Sequence, residues 1–91
     1  MNYAIISCVE RDINLEAVCG TREEAIEKMK ECFLDFHSQC GHSPIDVNAM
    51  KLNIEEYGDV EDHYYGFDRS GHAWSNEIKD CHYDIKILKI K

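Results

Sequence analysis

The 91-residue chain holds one proline, one tryptophan and no uninterrupted apolar run longer than a few residues. A membrane-spanning helix needs about 20 consecutive apolar residues, so none is encoded. Met1-Asn2-Tyr3 brings neither a basic stretch nor a long apolar segment, so no export signal is expected there. The five cysteines are odd in number and lack paired spacing. That argues against a disulfide framework and for reduced thiols packed as small hydrophobes in the cytoplasm. There is no Gly-x-Ser-x-Gly elbow, His-Glu-x-x-His helix or glycine-rich phosphate loop. Without a nucleophile paired to a base, no reaction is named, and neither an enzyme nor a cofactor is expected.

Basic residues are missing from one stretch in particular. From Glu55 to Asp68 there is no lysine or arginine, yet Glu55, Glu56, Asp59, Glu61, Asp62 and Asp68 all fall there. The other 77 residues carry twelve acids against ten bases, so this segment supplies six of the eight net negative charges. A charge of −8 repels phosphates, which disfavours direct binding to nucleic acid or an anionic membrane. Concentrated in one place, it attracts a basic partner from a distance.

Apolar residues at 44% and charged residues at 31% are ordinary globular values, and 91 residues suffice for one domain with a modest core. Tyr3 to Val9 is apolar and partly β-branched, as in a buried strand. Glu10 to Asn14 is a polar interruption, and Leu15 to Cys19 resumes as a second strand, giving a hairpin that Gly20 closes. Thr21 and Glu24 match a capping box. Behind them Ala25, Ile26, Met29, Cys32, Phe33 and Phe36 recur at helical spacing, and Gly41 is the terminator. Ser43-Pro44-Ile45-Asp46 starts a second helix that carries Val47, Met50, Ile54 and Tyr57 and stops at Gly58. Alternation of Leu52 and Ile54 supports a competing strand over Lys51 to Glu55, but the start signals favour the helix.

Beyond the acidic stretch, read as a loop, Tyr64 to Phe67 leads into Asp68-Arg69-Ser70-Gly71, a hairpin turn ending in a left-handed glycine. His72 to Ile78 is the return strand. Tyr83 to Ile90 is the last, with Leu88 and Ile90 on the opposite parity to Tyr83, Ile85 and Ile87. That switch predicts a bulge or burial on both faces. The order ββααβββ describes one α+β domain over residues 1–91. About five antiparallel strands carry two helices on one face.

Cys32, His37, Cys40 and His42 invite a zinc reading, as a zinc-stabilised fold. On one helix, however, Cys32 and Cys40 would lie about 12 Å apart, too far to share an ion at about 2.3 Å. Cys32 is then a core residue and His37 a surface one. His63, His72 and His82, with Cys81, can meet across the second hairpin, and Cys8 or Cys81 beside a histidine is the only nucleophile pairing on offer. Asp59-Val60-Glu61-Asp62 lacks the ligand ladder of a calcium loop.

The acidic stretch is also rich in aromatics. Tyrosine and tryptophan give rigid contact area, while carboxylates steer a basic partner. The candidate partner-binding residues are therefore Glu55, Glu56, Tyr57, Asp59, Glu61, Asp62, Tyr64, Tyr65, Asp68 and Trp74, facing a basic protein surface. A second reading is a homodimer with a small-molecule pocket between protomers, where Arg11, Arg22 or Arg69 grips an anionic group. In general character the chain resembles small acidic accessory proteins of bacteria and their phages. Some of these inhibit nucleases or defence complexes by occupying basic nucleic-acid grooves. The likeness assigns no residue.

Overall fold

The computed structural model describes the backbone of residues 2–78 and 81–90, and their side chains except those of Glu77, Ile78 and Cys81. Its elements are β1 (Asn2–Val9), β2 (Asp12–Cys19), α1 (Arg22–Gln39), α2 (Pro44–Tyr57), β3 (Val60–Glu61), β4 (Tyr65–Asp68), β5 (His72–Ile78) and β6 (Cys81–Ile90). The strands form one antiparallel sheet in the order β2-β1-β6-β5-β4-β3. Helices and sheet enclose a single buried cluster, so the α+β architecture is as expected, with six strands instead of about five. The additional strand is β3, two residues inside the acidic stretch, which pairs Val60 with Phe67 and Glu61 with Gly66. No helix among the described residues is long and apolar enough to cross a membrane.

Local chemistry sets the helix ends. Thr21 Oγ1 accepts from the Glu24 N–H at 3.2 Å, and Ser43 Oγ accepts from the Asp46 N–H at 3.1 Å. Each caps a donor that the helix leaves unpaired, and Pro44 occupies a position where no N–H is needed. Past the C-terminal ends, Gly41 and Gly58 take φ of 97° and 79°, which only glycine adopts cheaply. The segment from Pro44 to Tyr57 is helix and not strand.

One face of the sheet is buried under the helices. Ile5, Ser7, Ala73, Ser75, Tyr65, Phe67, Tyr83 and Ile85 point there from alternate strand positions. On α1, Ala25, Met29, Phe33 and His37 descend the buried stripe at spacings of four. His37 is thus a core residue and not a surface one, completely buried against the Phe33 and Phe36 rings. Its Nδ1 lies 2.8 Å from the Phe33 carbonyl and its Nε2 2.9 Å from Ser75 Oγ, so burial leaves neither ring nitrogen unsatisfied.

Two features of the register differ from expectation. β6 pairs with β1 without a break from Asn2↔Ile90 to Val9↔Tyr83, so there is no bulge before Leu88. Leu88 and Ile90 keep strict alternation and face away from the helices, 47% and 39% exposed. Register shifts occur elsewhere, between β5 and β6 from Ser75 to Ile78 and between β1 and β2. Ile5 pairs with Ala17 and Ile6 with Leu15, leaving Glu16 as the extra residue. The β1–β2 turn is also shorter than the polar interruption suggested. It consists of Glu10 and Arg11, with Glu10 at φ 57°, and Asp12 to Asn14 already belong to β2.

Candidate functional site

Among the described residues, the face of the sheet opposite the helices carries no second layer. One register row crosses all six strands on this open face: Ile13, Cys8, Asp84, Trp74, Gly66 and Glu61. At the ordinary strand spacing it spans about 24 Å. Its two ends differ in chemistry.

At the β3–β5 end is a cleft of about 460 Å3 lined by Asp59, Val60, Glu61, Phe67, Asp68, His72 and Trp74. The cleft gathers three of the six predicted carboxylates with the predicted tryptophan. The Asp59 carboxylate accepts the Arg69 N–H at 2.7 Å, and the Asp68 carboxylate accepts the Ser70 N–H at 2.8 Å. These bonds fix both acids to the turn, and Ser70, with His72 nearby, holds the Asp68 carboxyl below the usual carboxylate range. Asp62 follows Glu61 at the rim, bonded to the His63 N–H. Among the described residues none of Asp59, Glu61, Asp62 and Asp68 forms a salt bridge. Among the described residues no lysine or arginine therefore neutralises them as an ion pair.

The rest of the predicted set divides. Glu55 turns to the groove between α1 and α2, 3.6 Å from Lys30, which also pairs with Glu27. It is partly neutralised and lies off the cleft. Glu56 is exposed on α2, and Tyr57 and Tyr64 are 68% and 60% exposed at neighbouring chain turns. Tyr65 is the clear correction. It is 6% exposed and points into the core, its hydroxyl 3.4 Å from the Asn53 amide, and so offers nothing to a partner. Strand parity with Phe67 carries that information, because Tyr65 and Phe67 must share a face.

At the β2–β1–β6 end the same face is apolar. Ile13, Leu15 and Val18 are 72%, 64% and 54% exposed, and Leu88 and Ile90 adjoin them. Ile6, Cys8, Ile13 and Leu88, with Asp84 and Lys86, line a shallow depression of about 290 Å3. The open face of an antiparallel sheet is ordinarily polar, and a contiguous exposed apolar patch marks a contact surface. Sequence reasoning missed these residues. The signal was available in the alternation of Ile13 with Leu15, once β2 is recognised to begin at Asp12.

Between the two ends, each oxygen of the Asp84 carboxylate meets an imidazole. His72 Nε2 lies 2.6 Å from one and His82 Nε2 2.6 Å from the other, and His82 Nδ1 contacts the Asn76 side chain. The predicted meeting of His72 and His82 occurs, through a shared carboxylate. His63 stands apart in the exposed turn, and the Cys81 side chain is outside the described ones. Cys8 neighbours Asp84 in register, but its thiol donates to the Glu10 carbonyl at 3.3 Å. The described cysteines Cys8, Cys19, Cys32 and Cys40 are free, and no three or more described His, Cys, Asp or Glu side chains converge on a metal position. Arg22 and Arg69 are spent on structure, donating to the Arg69 and Gly58 carbonyls at 2.7 Å and 3.2 Å.

No protein-family model, curated protein or solved structure matches this chain.

Proposed function

We propose that the chain is a non-enzymatic binding module whose open sheet face docks on a basic protein surface of the kind that holds nucleic-acid phosphates. Docked there, it occludes that surface and inhibits the partner. The observation that carries this reading is the single row from Glu61 to Ile13, with unpaired carboxylates at one end and exposed aliphatics at the other. Asp59, Glu61, Asp62 and Asp68 stand in for phosphates and steer the encounter. Trp74, Tyr57 and Tyr64 anchor beside them, and Ile13, Leu15 and Leu88 are then removed from water.

The division of labour sets the test. Tagged full-length protein is used to capture partners from the host, and association and dissociation rates are measured on the captured protein. Glu61→Lys with Asp62→Lys slows association and flattens its salt dependence, because these side chains are exposed. Asp68 is left alone because it supports the turn. Ile13→Thr with Leu15→Thr speeds dissociation and leaves association nearly unchanged. DNA duplex competes for the captured protein. Equal binding by the charge-reversed protein, or no competition by DNA, would overturn the proposal.

A further inference from the structure

The sheet has two outer edges. At one of them β3 stops after two residues, but at the other β2 runs for eight, Asp12–Cys19, with no strand beyond it. Among the described residues no turn or loop hydrogen-bonds to its backbone on that side either. The direction of its open groups follows from the hairpin. Glu10 N–H donates to the His82 carbonyl at 3.3 Å on the β6 side, so the Val9 backbone faces Asp12. Alternation along the ladder then turns the N–H and C=O groups of Ile13 and Leu15 outward.

Long edges are ordinarily blunted by lysine or proline. β2 holds neither in Asp-Ile-Asn-Leu-Glu-Ala-Val-Cys. Its side chains alternate in chemistry instead. Ile13 and Leu15 are 72% and 64% exposed on the open face, while Asp12, Asn14 and Glu16 are exposed on the helix side. Ser7, buried on that side, donates to the Glu16 carboxylate at 2.6 Å and fixes its direction. Neither Asp12 nor Glu16 forms a salt bridge among the described residues.

A strand added antiparallel to this edge sets each of its side chains beside a β2 side chain on the same face. The complement of Asp12-Ile13-Asn14-Leu15-Glu16 is therefore aliphatic on the open face and basic on the helix side. A second copy of β2 fits badly. Paired about Asn14, it brings Glu16 opposite Asp12 twice over, and like charges directly opposite are destabilising. Charge thus rejects a copy of this chain and admits a basic strand.

We propose that the outer edge of β2 binds an extended segment of a protein partner in which lysine or arginine alternates with aliphatic residues, added as a further antiparallel strand. Backbone hydrogen bonds at Ile13 and Leu15 supply the affinity, and the alternating side chains supply the selectivity. The edge lies at the opposite end of the sheet from the acidic cleft, so strand addition here and docking by the cleft succeed or fail separately.

The test is a titration of isotope-labelled full-length protein with a capped lysine–valine alternating heptapeptide, followed by nuclear magnetic resonance. Saturable shifts and slowed hydrogen exchange are expected at the Ile13 and Leu15 amides. The same peptide methylated on alternate backbone nitrogens, and a glutamate–valine peptide, should not bind. Asp12→Asn with Glu16→Gln weakens binding about threefold to tenfold, as two lost cross-strand charge pairs should. The glutamine keeps an acceptor for Ser7, and both changed residues are exposed. Glu23→Gln with Asp46→Asn, which removes equal charge from the two helix starts, leaves binding unchanged. Equal binding by the methylated or the glutamate peptide, or shifts confined to the acidic cleft, would overturn the proposal. So would concentration-dependent shifts of the Ile13 and Leu15 amides without peptide, which would assign the edge to a second copy.

Discussion

Trp74 lies across Gly66, its register partner on the neighbouring strand, so closely that a β-carbon at Gly66 would clash with the indole Nε1 and Cε2. The glycine is needed for space and not for an unusual φ. Gly66→Ala is expected to lower stability by about 1–3 kcal/mol, as overpacking does elsewhere. Urea unfolding measures it. In a Trp74→Ala background the same substitution should cost less than about 0.5 kcal/mol, because the clashing group is gone. An equal cost in both backgrounds would place the strain in the backbone.

Phe33 is the centre of the aromatic core, with the Tyr65, Phe67 and Tyr83 rings about it at 6.0, 6.1 and 6.2 Å. Phe33→Ala should cost about 3–5 kcal/mol, which for a domain of this size approaches the whole of its stability. His37→Ala, one turn on, should cost about 2–4 kcal/mol through the cavity and the loss of two buried hydrogen bonds. A cost below about 1 kcal/mol would mean that the site relaxes around the gap.

Acid should act in part through Asp68. Its folded carboxyl ionises below the ordinary value of 3.8, so the group adds stability above that pH and loses it as the pH falls through the folded value. Asp68→Asn cannot titrate. The variant is expected to be less stable than the parent at pH 7 and to lose less of its stability on acidification. Urea midpoints measured between pH 7 and pH 2 check this, and parallel curves would contradict it.

Alkali should act through Tyr83, whose folded phenol ionises above the ordinary value of 10.0 because burial disfavours the anion. Its contribution is complete below that pH and is lost as the pH rises beyond it, because the unfolded chain releases the proton first. Spectrophotometric titration of the five tyrosines should show one that ionises only as the protein unfolds. In Tyr83→Phe that late component should be absent.

Features that depend on a few adjacent residues were legible in the sequence. Thr21 with Glu24, Ser43-Pro44-Ile45-Asp46, and the glycines at 41 and 58 mark the helix ends by local hydrogen bonding and φ alone. The hairpin turn is of the same kind, with the Gly71 N–H donating to the Asp68 carbonyl at 3.0 Å. Features that depend on a distant partner were not. β3 exists because Phe67 and Gly66 pair with Val60 and Glu61, which read in isolation as acidic loop. Glu55 left the acidic group because α1 presents Lys30 to α2. His37 entered the core because Ser75, 38 positions away, meets its far ring nitrogen. The bulge at Glu16 arises from the pairing with β1, and no pattern in β2 announces it.

Within the sheet, the pairing of β1 with β6 joins residues far apart in the sequence, Asn2 opposite Ile90. During synthesis on a ribosome, β1 and β2 emerge early, but Tyr83 and Ile85 are among the last core residues to leave the exit tunnel. Until they arrive, β1 and β5 each present an unsatisfied backbone edge flanking the space reserved for β6. A nascent chain halted before β6 therefore holds an open slot in the centre of its sheet, the state in which an extended segment from another polypeptide is most readily captured.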